Sequence, residues 1–391
     1  MNLIAGVIIA GFCVFLQLYA TQPLLALLRE RFHASEAAVS LTVSAGTLAV
    51  AIFSPFVGFI ADTLGRKRVI VPCLFALSLC TLGCALADSL SQLVVFRFLA
   101  GVFTPGVIAV VLSYISEETP GGKVSFVTSL YVTGTVLGGL TGRLSSAFIA
   151  DHSSWRASFT ALALLTFAGA VLTMFSLPRS TGFRTRAHLR DALPAMLIHM
   201  KNGRLRATYL TGFNALFCHV GLFTYANFHL SKPPFSLSTS ALGLVFLVYA
   251  LGIVITPLAG RMIDRVGHRN GATAAIGFLA AGLLLTLIPG IAVFVLGLAV
   301  ASAGVFIMQS AASSHVSQSA GKARSAATGL YVSFYYFGGS VGATLLAAAW
   351  KFGGWGAIIA SMILVQCVSL AAVRMFFADR PARPSSPVVL D

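Results

Sequence analysis

Apolar residues along this chain fall in runs of about 20, the length that an α-helix needs to cross the hydrocarbon core of a membrane. The runs recur from one end of the sequence to the other, with polar stretches between them. The pattern predicts an all-α membrane protein with twelve transmembrane segments. The segments are expected at 3–28, 39–63, 69–87, 93–115, 126–149, 155–177, 208–230, 241–263, 272–289, 291–313, 326–350 and 355–377.

The overall composition supports this prediction. The chain is 57% hydrophobic and 9% charged, whereas soluble domains carry about 25% charged residues. The formal net charge of +15 could indicate a nucleic-acid partner, but most Lys and Arg residues fall in alternate loops. That bias is the positive-inside pattern, so the charge indicates topology, with both termini cytoplasmic, and no nucleic-acid partner is expected.

Short sequence matches recur at an offset of about 200 residues, as expected for two duplicated halves. Residues 130–132 recur at 330–332, and Trp155 recurs as Trp355. The matching glycines are Gly138, Gly139 and Gly142 in the first half and Gly338, Gly339 and Gly342 in the second.

The repeat also predicts how the chain divides into domains. We expect six-helix bundles, related by pseudo-symmetry, at 1–178 and 206–377. A basic cytoplasmic linker at 179–205 joins them, and a cytoplasmic tail follows at 378–391.

A GxxxDxxGR loop follows both the second and the eighth predicted segments. We expect its first glycine to let two helices approach closely, its aspartate to meet backbone amides or an arginine, and its basic residues to lie at the anionic leaflet. Such a contact can form in one state and break in another, as alternating access requires. The motif residues are Gly58, Asp62, Gly65, Arg66, Lys67 and Arg68 in the first copy and Gly260, Asp264, Gly267 and Arg269 in the second.

These loops, together with twelve segments and a repeat, resemble the major facilitator superfamily over nearly the whole chain. Arg97, in Leu-Val-Val-Phe-Arg-Phe-Leu-Ala-Gly, looks like the family's fourth-helix arginine motif. Residues 134–142 are similar to the fifth-helix motif of drug:proton antiporters, with Gly139 where proline is usual. The glycines of that stretch are Gly134, Gly138, Gly139 and Gly142.

The stretches 114–118, 139–143 and 333–338 look most like the YnfM-like, or arabinose-efflux-permease-like, branch of that superfamily. The resemblance implies a bacterial inner-membrane transporter, coupled to the proton gradient. It also implies a cavity between the halves, lined mainly by helices one, four, seven and ten.

Ionisable side chains at membrane depth are costly unless paired or hydrated, so each one is a functional candidate. Arg97 and Arg143 lie within predicted segments. Arg97 could respond to protonation of a partner or attract substrate, and Arg143 could bind an anionic substrate group. Alternatively, each could bond helix carbonyls within the first bundle. His219 could carry a proton or could be a neutral histidine that is hydrogen-bonded inside the bundle.

The acidic residues, in contrast, fall in loops, in tails or at helix ends, so no carboxylate is expected at mid-membrane depth. The resemblance suggests a relay of Asp62, Arg66 and either Glu117 or Glu118 that holds an outward-open state. A solvated helix end is the alternative for the two glutamates.

Aromatic and amide side chains complete the expected lining of a cavity for amphipathic ligands, although aromatic residues also fill bundle cores. The candidates are Phe15, Tyr19 and Gln22 in segment 1, Asn214, Phe217 and Tyr225 in segment 7, Met308 and Gln309 in segment 10, and Tyr331, Tyr335 and Tyr336 in segment 11.

Other patterns exclude catalysis and nucleotide use. There is no HExxH and no GxxxxGK[ST], and the six cysteines fall within apolar spans. We therefore expect no enzyme, no cofactor, no metal and no disulfide, and an ion gradient as the energy source.

Proton-coupled efflux of amphipathic drugs or metabolites is the leading hypothesis, by a monomer in the lipid bilayer. An exporter or facilitator of an organic anion or sugar-like metabolite, using Arg97 and Arg143, is the second hypothesis. A transporter-like membrane sensor or assembly partner is the third.

Overall fold

A computed structural model describes residues 3–119, 122–178, 189–320 and 324–377, and within these ranges the regular structure is entirely helical. The helices of the first half are Leu3–Leu18, Leu25–Arg31, Glu36–Leu64, Arg66–Ala85, Leu90–Phe103, Pro105–Glu118, Val124–His152 and Trp155–Ser176. Those of the second half are Leu189–Lys201, Gly203–Leu230, Thr239–Val245, Leu251–Leu285, Ile291–Ser319 and Arg324–Phe376. Two 3-10 turns, Gln22–Leu24 and Phe246–Ala250, lie between helices.

These helices form twelve membrane segments in the described part of the chain, which confirms the all-α prediction. Nine described stretches are long and apolar enough to cross a membrane, and two of them have 47 and 51 residues. Each of the two long stretches divides into two segments, at Gly267 (φ 82°) and at Gly353 and Gly354. The helix Gly203–Leu230 is the remaining segment, and its 28 residues span about 42 Å.

Two predicted segments are interrupted. Segment 1 unwinds after Leu18 and continues through the 3-10 turn Gln22–Leu24 into the helix Leu25–Arg31. Segment 4 contains Pro105 at the first position of its second helix, where the missing N–H of proline is tolerated. Hydrophobic periodicity did not reveal either break, because both flanking pieces are apolar.

Segments 2, 4, 6 and 8 each begin with a serine N-cap. In each, a serine at the N-cap accepts a hydrogen bond from the backbone N–H three residues later, which satisfies one of the donors left open at a helix start. The four caps lie at the end of the bundle that the sequence predicts to be external. They are Ser35, Ser89, Ser154 and Ser238.

The two halves repeat each other in packing as well as in sequence. A side chain at Gly138 would meet the main chain of Phe12, and one at Gly338 would meet that of Phe213. Segment 5 therefore lies directly on segment 1, and segment 11 lies on segment 7 in the same way. The same contact recurs one turn along at Gly142 and Gly342.

Polar contacts between the halves cluster at one end of the molecule, which we call the closed end. Lys232 Nζ lies 3.2 Å from Glu36 Oε1, and Ser240 N donates to Asp151 Oδ2 at 3.3 Å. Glu36 and Asp151 belong to the first half, and their partners belong to the second. The opposite end, which holds the GxxxDxxGR loops, we call the loop-motif end.

The predicted domain limits remain predictions. The structure places segments 1–6 before the linker and segments 7–12 after it. Linker residues 179–188 and the predicted tail 378–391 lie outside the described residues. The described part of the linker includes the helix Leu189–Lys201.

Candidate functional site

Arg143 of segment 5 is buried between the two halves, with 4% of its surface exposed. Its Nε donates to Gln22 Oε1 at 3.1 Å, and its Nη1 donates to the carbonyl of Gly139 at 2.9 Å. The unwinding of segment 1 after Leu18 places Gln22 in the 3-10 turn beside this arginine. The arginine therefore links a helix carbonyl to a side chain at the break in segment 1.

Three aromatic rings surround the Arg143 guanidinium. Its Cζ lies 4.8 Å from the ring centroid of Tyr19, 5.3 Å from that of Phe246 and 4.4 Å from that of Tyr249. Tyr19 belongs to the first half, whereas Phe246 and Tyr249 lie in the 3-10 turn of segment 8. Rings of this kind attract a cation, and the attraction is stronger away from water.

His219 extends this environment from segment 7. Its ring centroid lies 4.6 Å from that of Tyr249 and 5.6 Å from that of Phe306. The Nε2 atom of His219 is buried without a hydrogen-bond partner, and so is Nε2 of Gln22. The group formed by Tyr19, Gln22, Arg143, His219, Phe246 and Tyr249 is called the Arg143 cluster below.

The Arg143 cluster draws three residues from each half and contains a buried positive charge. Within the described part of the chain, no carboxylate lies at ion-pair distance from Arg143, since the ion pairs there join other residues. Buried charges are normally paired, so an arginine whose partners are a carbonyl, an amide, the hydroxyl of Tyr249 and aromatic rings is unusual.

Arg97 is surrounded differently. Its Nε donates to the carbonyl of Thr42 at 3.1 Å and its Nη1 to that of Gln17 at 2.8 Å. Its Nη2 donates to the carbonyl of Leu18, where segment 1 unwinds. This geometry matches the alternative considered from the sequence, in which the arginine bonds helix carbonyls, and it favours a positioning role over proton coupling.

Arg66 at the loop-motif end joins two acids, as the relay hypothesis requires. Its Nη1 lies 2.6 Å from Asp62 Oδ1. Its Nε and Nη2 donate to the two oxygens of Glu117, at 3.1 and 2.7 Å. All three residues belong to the first half. Their contacts are present in a structure whose halves meet at the closed end, so the three side chains can also associate in a state other than the outward-open one. Its transport role remains a prediction.

The glycines of the loop motif differ from expectation in one respect. Nothing lies within 4 Å of the position that a Cβ would take at Gly58 or Gly260, so neither glycine permits a close helix approach in this conformation. The expected approach is therefore absent at these two glycines. Gly65 and Gly267 have φ values of 90° and 82°, which suit glycine at the turn.

The basic and acidic residues of the motif are spread over the loop-motif end. Lys67 Nζ donates to the carbonyl of Leu177 at 2.5 Å, which ties segment 3 to the end of segment 6. Arg68 and Asp264 are exposed, and the side chains of Glu118 and Arg269 are half-buried.

Several predicted cavity residues have partners inside one half. Asn214 Nδ2 donates to Ser369 Oγ at 2.7 Å, so its amide faces segment 12 and not the other half. Tyr225 donates to the carbonyl of Ala343 at 3.0 Å, and its hydroxyl also forms a hydrogen bond with the side chain of Ser40 in the first half. These contacts give both residues a packing role in this conformation.

Other candidates lie in aromatic contacts or in the core. Gly134 packs on the main chain of Ile8, like the other glycines of segment 5. Phe217 stacks with Phe213 at 6.2 Å, and Met308 is buried. Phe15 and Gln309 are half-buried. The rings of segment 11 form a series in which Tyr331, Tyr335 and Tyr336 contact one another in turn.

Asn227 was not predicted from the sequence. Its Oδ1 accepts from the backbone N–H of Ala26 at 3.1 Å, and its Nδ2 donates to the carbonyl of Pro23 at 3.2 Å. One side chain of segment 7 thus clamps the broken end of segment 1 across the two halves. The sequence did contain a signal for this contact, namely a polar asparagine within an apolar segment together with the helix-breaking Pro23 in segment 1.

The fold and the site define a multi-pass membrane transporter built from two repeated bundles, and not an enzyme. The sequence matches the family described as Major Facilitator Superfamily over residues 7–252 and 227–389. The chain belongs to the Major Facilitator Superfamily, as the resemblance in the loops implied.

Individual proteins agree with this family. The chain is 33% identical to the inner membrane transport protein YnfM of Escherichia coli (strain K12) over 360 residues, which covers 91% of this chain and 86% of that protein. Its fold is similar to that of the nucleoside transporter NupG, with a TM-score of 0.80 at 16% identity over 96% of this chain and 100% of that one. It is also similar to a D-xylose-proton symporter, with a TM-score of 0.73 at 16% identity over 96% and 97% of the two chains.

Proposed function

We propose that this protein is a secondary active transporter that exports small amphipathic compounds by alternating access, driven by the proton gradient. The observation that carries the proposal is the Arg143 cluster, a buried group of aromatic and polar side chains to which each half contributes three residues. A ligand held there contacts both halves at once, so movement of one half against the other changes its access.

Alternating access is supported by the kind of contact that joins the halves. The clamp of Asn227 on Pro23 and Ala26, and the Lys232–Glu36 pair, are hydrogen bonds and an exposed ion pair. Contacts of this kind contribute on the order of 1 kcal/mol each. They can break and reform at the rate that a transport cycle requires.

Export of amphipathic compounds is supported by the aromatic character of the site and by the sequence. Tyr19, Phe246 and Tyr249 offer apolar ring faces beside polar groups, which is the mixture that binds amphipathic molecules. The YnfM-like segments and the glycine motif of segment 5 favour the efflux direction.

For proton coupling, we propose His219 as the proton carrier. A D-xylose-proton symporter has the same fold, and the Arg143 cluster contains no carboxylate that could carry the proton. Histidine is the side chain whose charge ordinarily changes near neutral pH. The ring of His219 contacts Tyr249, so a change in its charge acts directly on the surroundings of Arg143.

We further propose that both termini lie in the cytoplasm of a bacterial cell, with the protein in the inner membrane as a monomer. The positive-inside distribution of Lys and Arg supports this orientation. In it, the closed end is external and the substrate enters from the cytoplasmic side.

The test uses inverted inner-membrane vesicles and three amphipathic fluorophores of similar size, one anionic, one neutral and one cationic. We expect energised vesicles to accumulate at least one fluorophore, and a protonophore to abolish the accumulation. Absence of gradient-driven accumulation of all three, with folded protein in the membrane, would contradict the proposal.

The coupling role of His219 is tested with His219→Gln. We expect this variant to retain substrate exchange between preloaded vesicles and medium but to lose gradient-driven accumulation. His229→Gln is the matched control, since His229 lies on the same helix and stacks on Trp355 away from the cluster. Equal accumulation by His219→Gln and the wild type would refute the assignment.

A further inference from the structure

We infer that the Arg143 cluster binds the anionic group of its substrate, and that the substrate is an organic monoanion with an aromatic or other flat apolar body. The inference rests on the proposed transport function and names the chemical class of the compound. It begins from the charge of Arg143.

Arg143 is a buried cation without a counter-ion among the described residues. A positive charge in this position is held only by neutral groups, namely the amide of Gln22, the carbonyl of Gly139, the hydroxyl of Tyr249 and three rings. A carboxylate that entered the cluster would supply the missing negative charge, and guanidinium is the side chain best matched to a carboxylate.

Two buried polar atoms lack partners beside the same arginine. Gln22 has no exposed surface and its Nε2 is unpaired, although the Oε1 of the same amide accepts from Arg143. His219 is 4% exposed and its Nε2 is also unpaired. Buried polar atoms are normally satisfied, so two exceptions at one place indicate a ligand that supplies acceptors. An amide N–H₂ and the N–H of a neutral histidine ring both donate, which is what an anion requires.

The apolar part of the substrate is indicated by the rings. Tyr19, Phe246 and Tyr249 lie against the guanidinium in this conformation. Their cation–π contacts are weaker than an ion pair in the same surroundings, so an entering anion displaces them from the charge. The displaced rings then face the body of the ligand, and flat apolar bodies fit ring faces best.

The same features disfavour the other charge classes. A cationic substrate would bring a second positive charge next to Arg143, without a carboxylate to offset it. A neutral substrate would leave the buried charge as it is. Only a single negative charge neutralises the cluster, so a monoanion is preferred to a dianion.

The binding test uses purified full-length protein in lipid nanodiscs and three isosteric probes, namely 1-naphthoate, 1-naphthamide and 1-naphthylmethylammonium. Calorimetry measures their affinities. We expect the carboxylate to bind at least tenfold more tightly than the amide, and the ammonium to bind most weakly. Equal affinity for carboxylate and amide, or no binding of the carboxylate to folded protein, would overturn the inference.

Two variants assign the preference to the cluster. Arg143→Gln removes the charge, and we expect it to abolish the preference for the carboxylate over the amide. Gln22→Glu places an internal carboxylate next to Arg143, and we expect it to compete with the probe and weaken naphthoate binding at least tenfold. Arg156→Gln is the matched control, because Arg156 lies outside the cluster and contacts Asp88 and the carbonyl of Ala87.

Folding is checked by the thermal midpoint of each variant. We expect Arg143→Gln to be as stable as the wild type, since it removes an uncompensated buried charge. An unchanged carboxylate preference in folded Arg143→Gln and Gln22→Glu would overturn the anion site. Gradient-driven transport of only the neutral or cationic fluorophore would leave the transporter function standing and would also overturn the anion site. Selective naphthoate binding without any gradient-driven transport would support the site and contradict the transport proposal.

Discussion

Removal of the Asn227 side chain should open the closed end of the protein without unfolding it. Asn227 makes two hydrogen bonds from segment 7 to segment 1, at 3.1 and 3.2 Å, and both cross between the halves. In Asn227→Ala both bonds are lost, and the N–H of Ala26 and the carbonyl of Pro23 lose their partner. The change acts on the contact between the halves and leaves the packing inside each half in place.

The size of the effect follows from the cost of the unmade bonds. A net hydrogen bond contributes about 1 kcal/mol, and a buried group left without a partner costs about 1–3 kcal/mol. Two such groups give about 2–6 kcal/mol in favour of opening, which is about 30- to 20,000-fold in the equilibrium between closed and open. If the wild type favours the closed state by about a hundredfold, the open state of Asn227→Ala would then be populated to about a fifth at least, and almost completely at the upper limit.

The assay is double electron–electron resonance between spin labels at Arg31 and Ser236, which are exposed at the closed end on opposite halves. The half-buried Cys73 and the exposed Cys367 are replaced by serine first, so that the labels attach only at the introduced cysteines. We expect a single short distance in the wild type and a second, longer distance in Asn227→Ala.

The matched control is Asn214→Ala. Asn214 is an asparagine on the same helix, but its amide bonds to Ser369 and to the carbonyl of Val365 within the second half. Its removal should lower the thermal midpoint and leave the distance distribution unchanged. The reasoning is refuted if Asn227→Ala shows the wild-type distribution, or if both variants open the closed end equally.

Three further changes test the packing and the charge contacts. Gly138→Ala should destabilise the protein by about 1–3 kcal/mol, because the new methyl group meets the main chain of Phe12. Gly277→Ala, where nothing lies within 4 Å of the new methyl group, should stabilise the protein by about 0.5–1 kcal/mol. Thermal melts measure both variants, and equal midpoints would contradict the packing argument. Arg97→Lys should cost about 3 kcal/mol, since one ammonium cannot reach three carbonyls in the guanidinium geometry, and it should leave the ratio of affinities for 1-naphthoate and 1-naphthamide unchanged. Glu117→Gln should lower the free energy of unfolding by about 1 kcal/mol, because it weakens a partly exposed pair with Arg66. A fall in the transport rate of folded protein by more than the roughly fivefold that corresponds to 1 kcal/mol would support the relay, and an unchanged rate would contradict it.

The sequence predicted the parts of this structure that depend on local or repeated patterns. Runs of apolar residues identified the segments, because backbone hydrogen bonds can be satisfied inside a membrane only within each helix. The offset of 200 residues predicted that Gly138 and Gly338 have equivalent places, and both lie on the main chain of the first helix of their half. The pairing of Asp62 with Arg66 was also accessible, since residues four apart meet on a helix face.

The same reasoning could not distinguish Arg97 from Arg143. Both are arginines in apolar segments, and the sequence left open for each whether it bonds carbonyls or serves transport. Among the described residues neither arginine has a carboxylate at ion-pair distance. Arg97 is satisfied by three carbonyls, whereas Arg143 bonds one carbonyl and the amide of Gln22 and has three rings around it. The difference arises from the unwinding of segment 1 after Leu18, which exposes carbonyls to one arginine and places Gln22 beside the other.

The sequence alone thus determined the membrane class, the number and order of segments, the duplication and the loop motif, because each depends on residues near one another in the chain or in register with a repeat. Only the tertiary structure decided that Phe246 and Tyr249 of segment 8 complete the surroundings of Arg143, and that Asn227 clamps the broken end of segment 1. These contacts join residues between about 100 and 204 positions apart across the two halves. They depend on how each helix is rotated and how the halves meet, and hydrophobic periodicity carries no information about either.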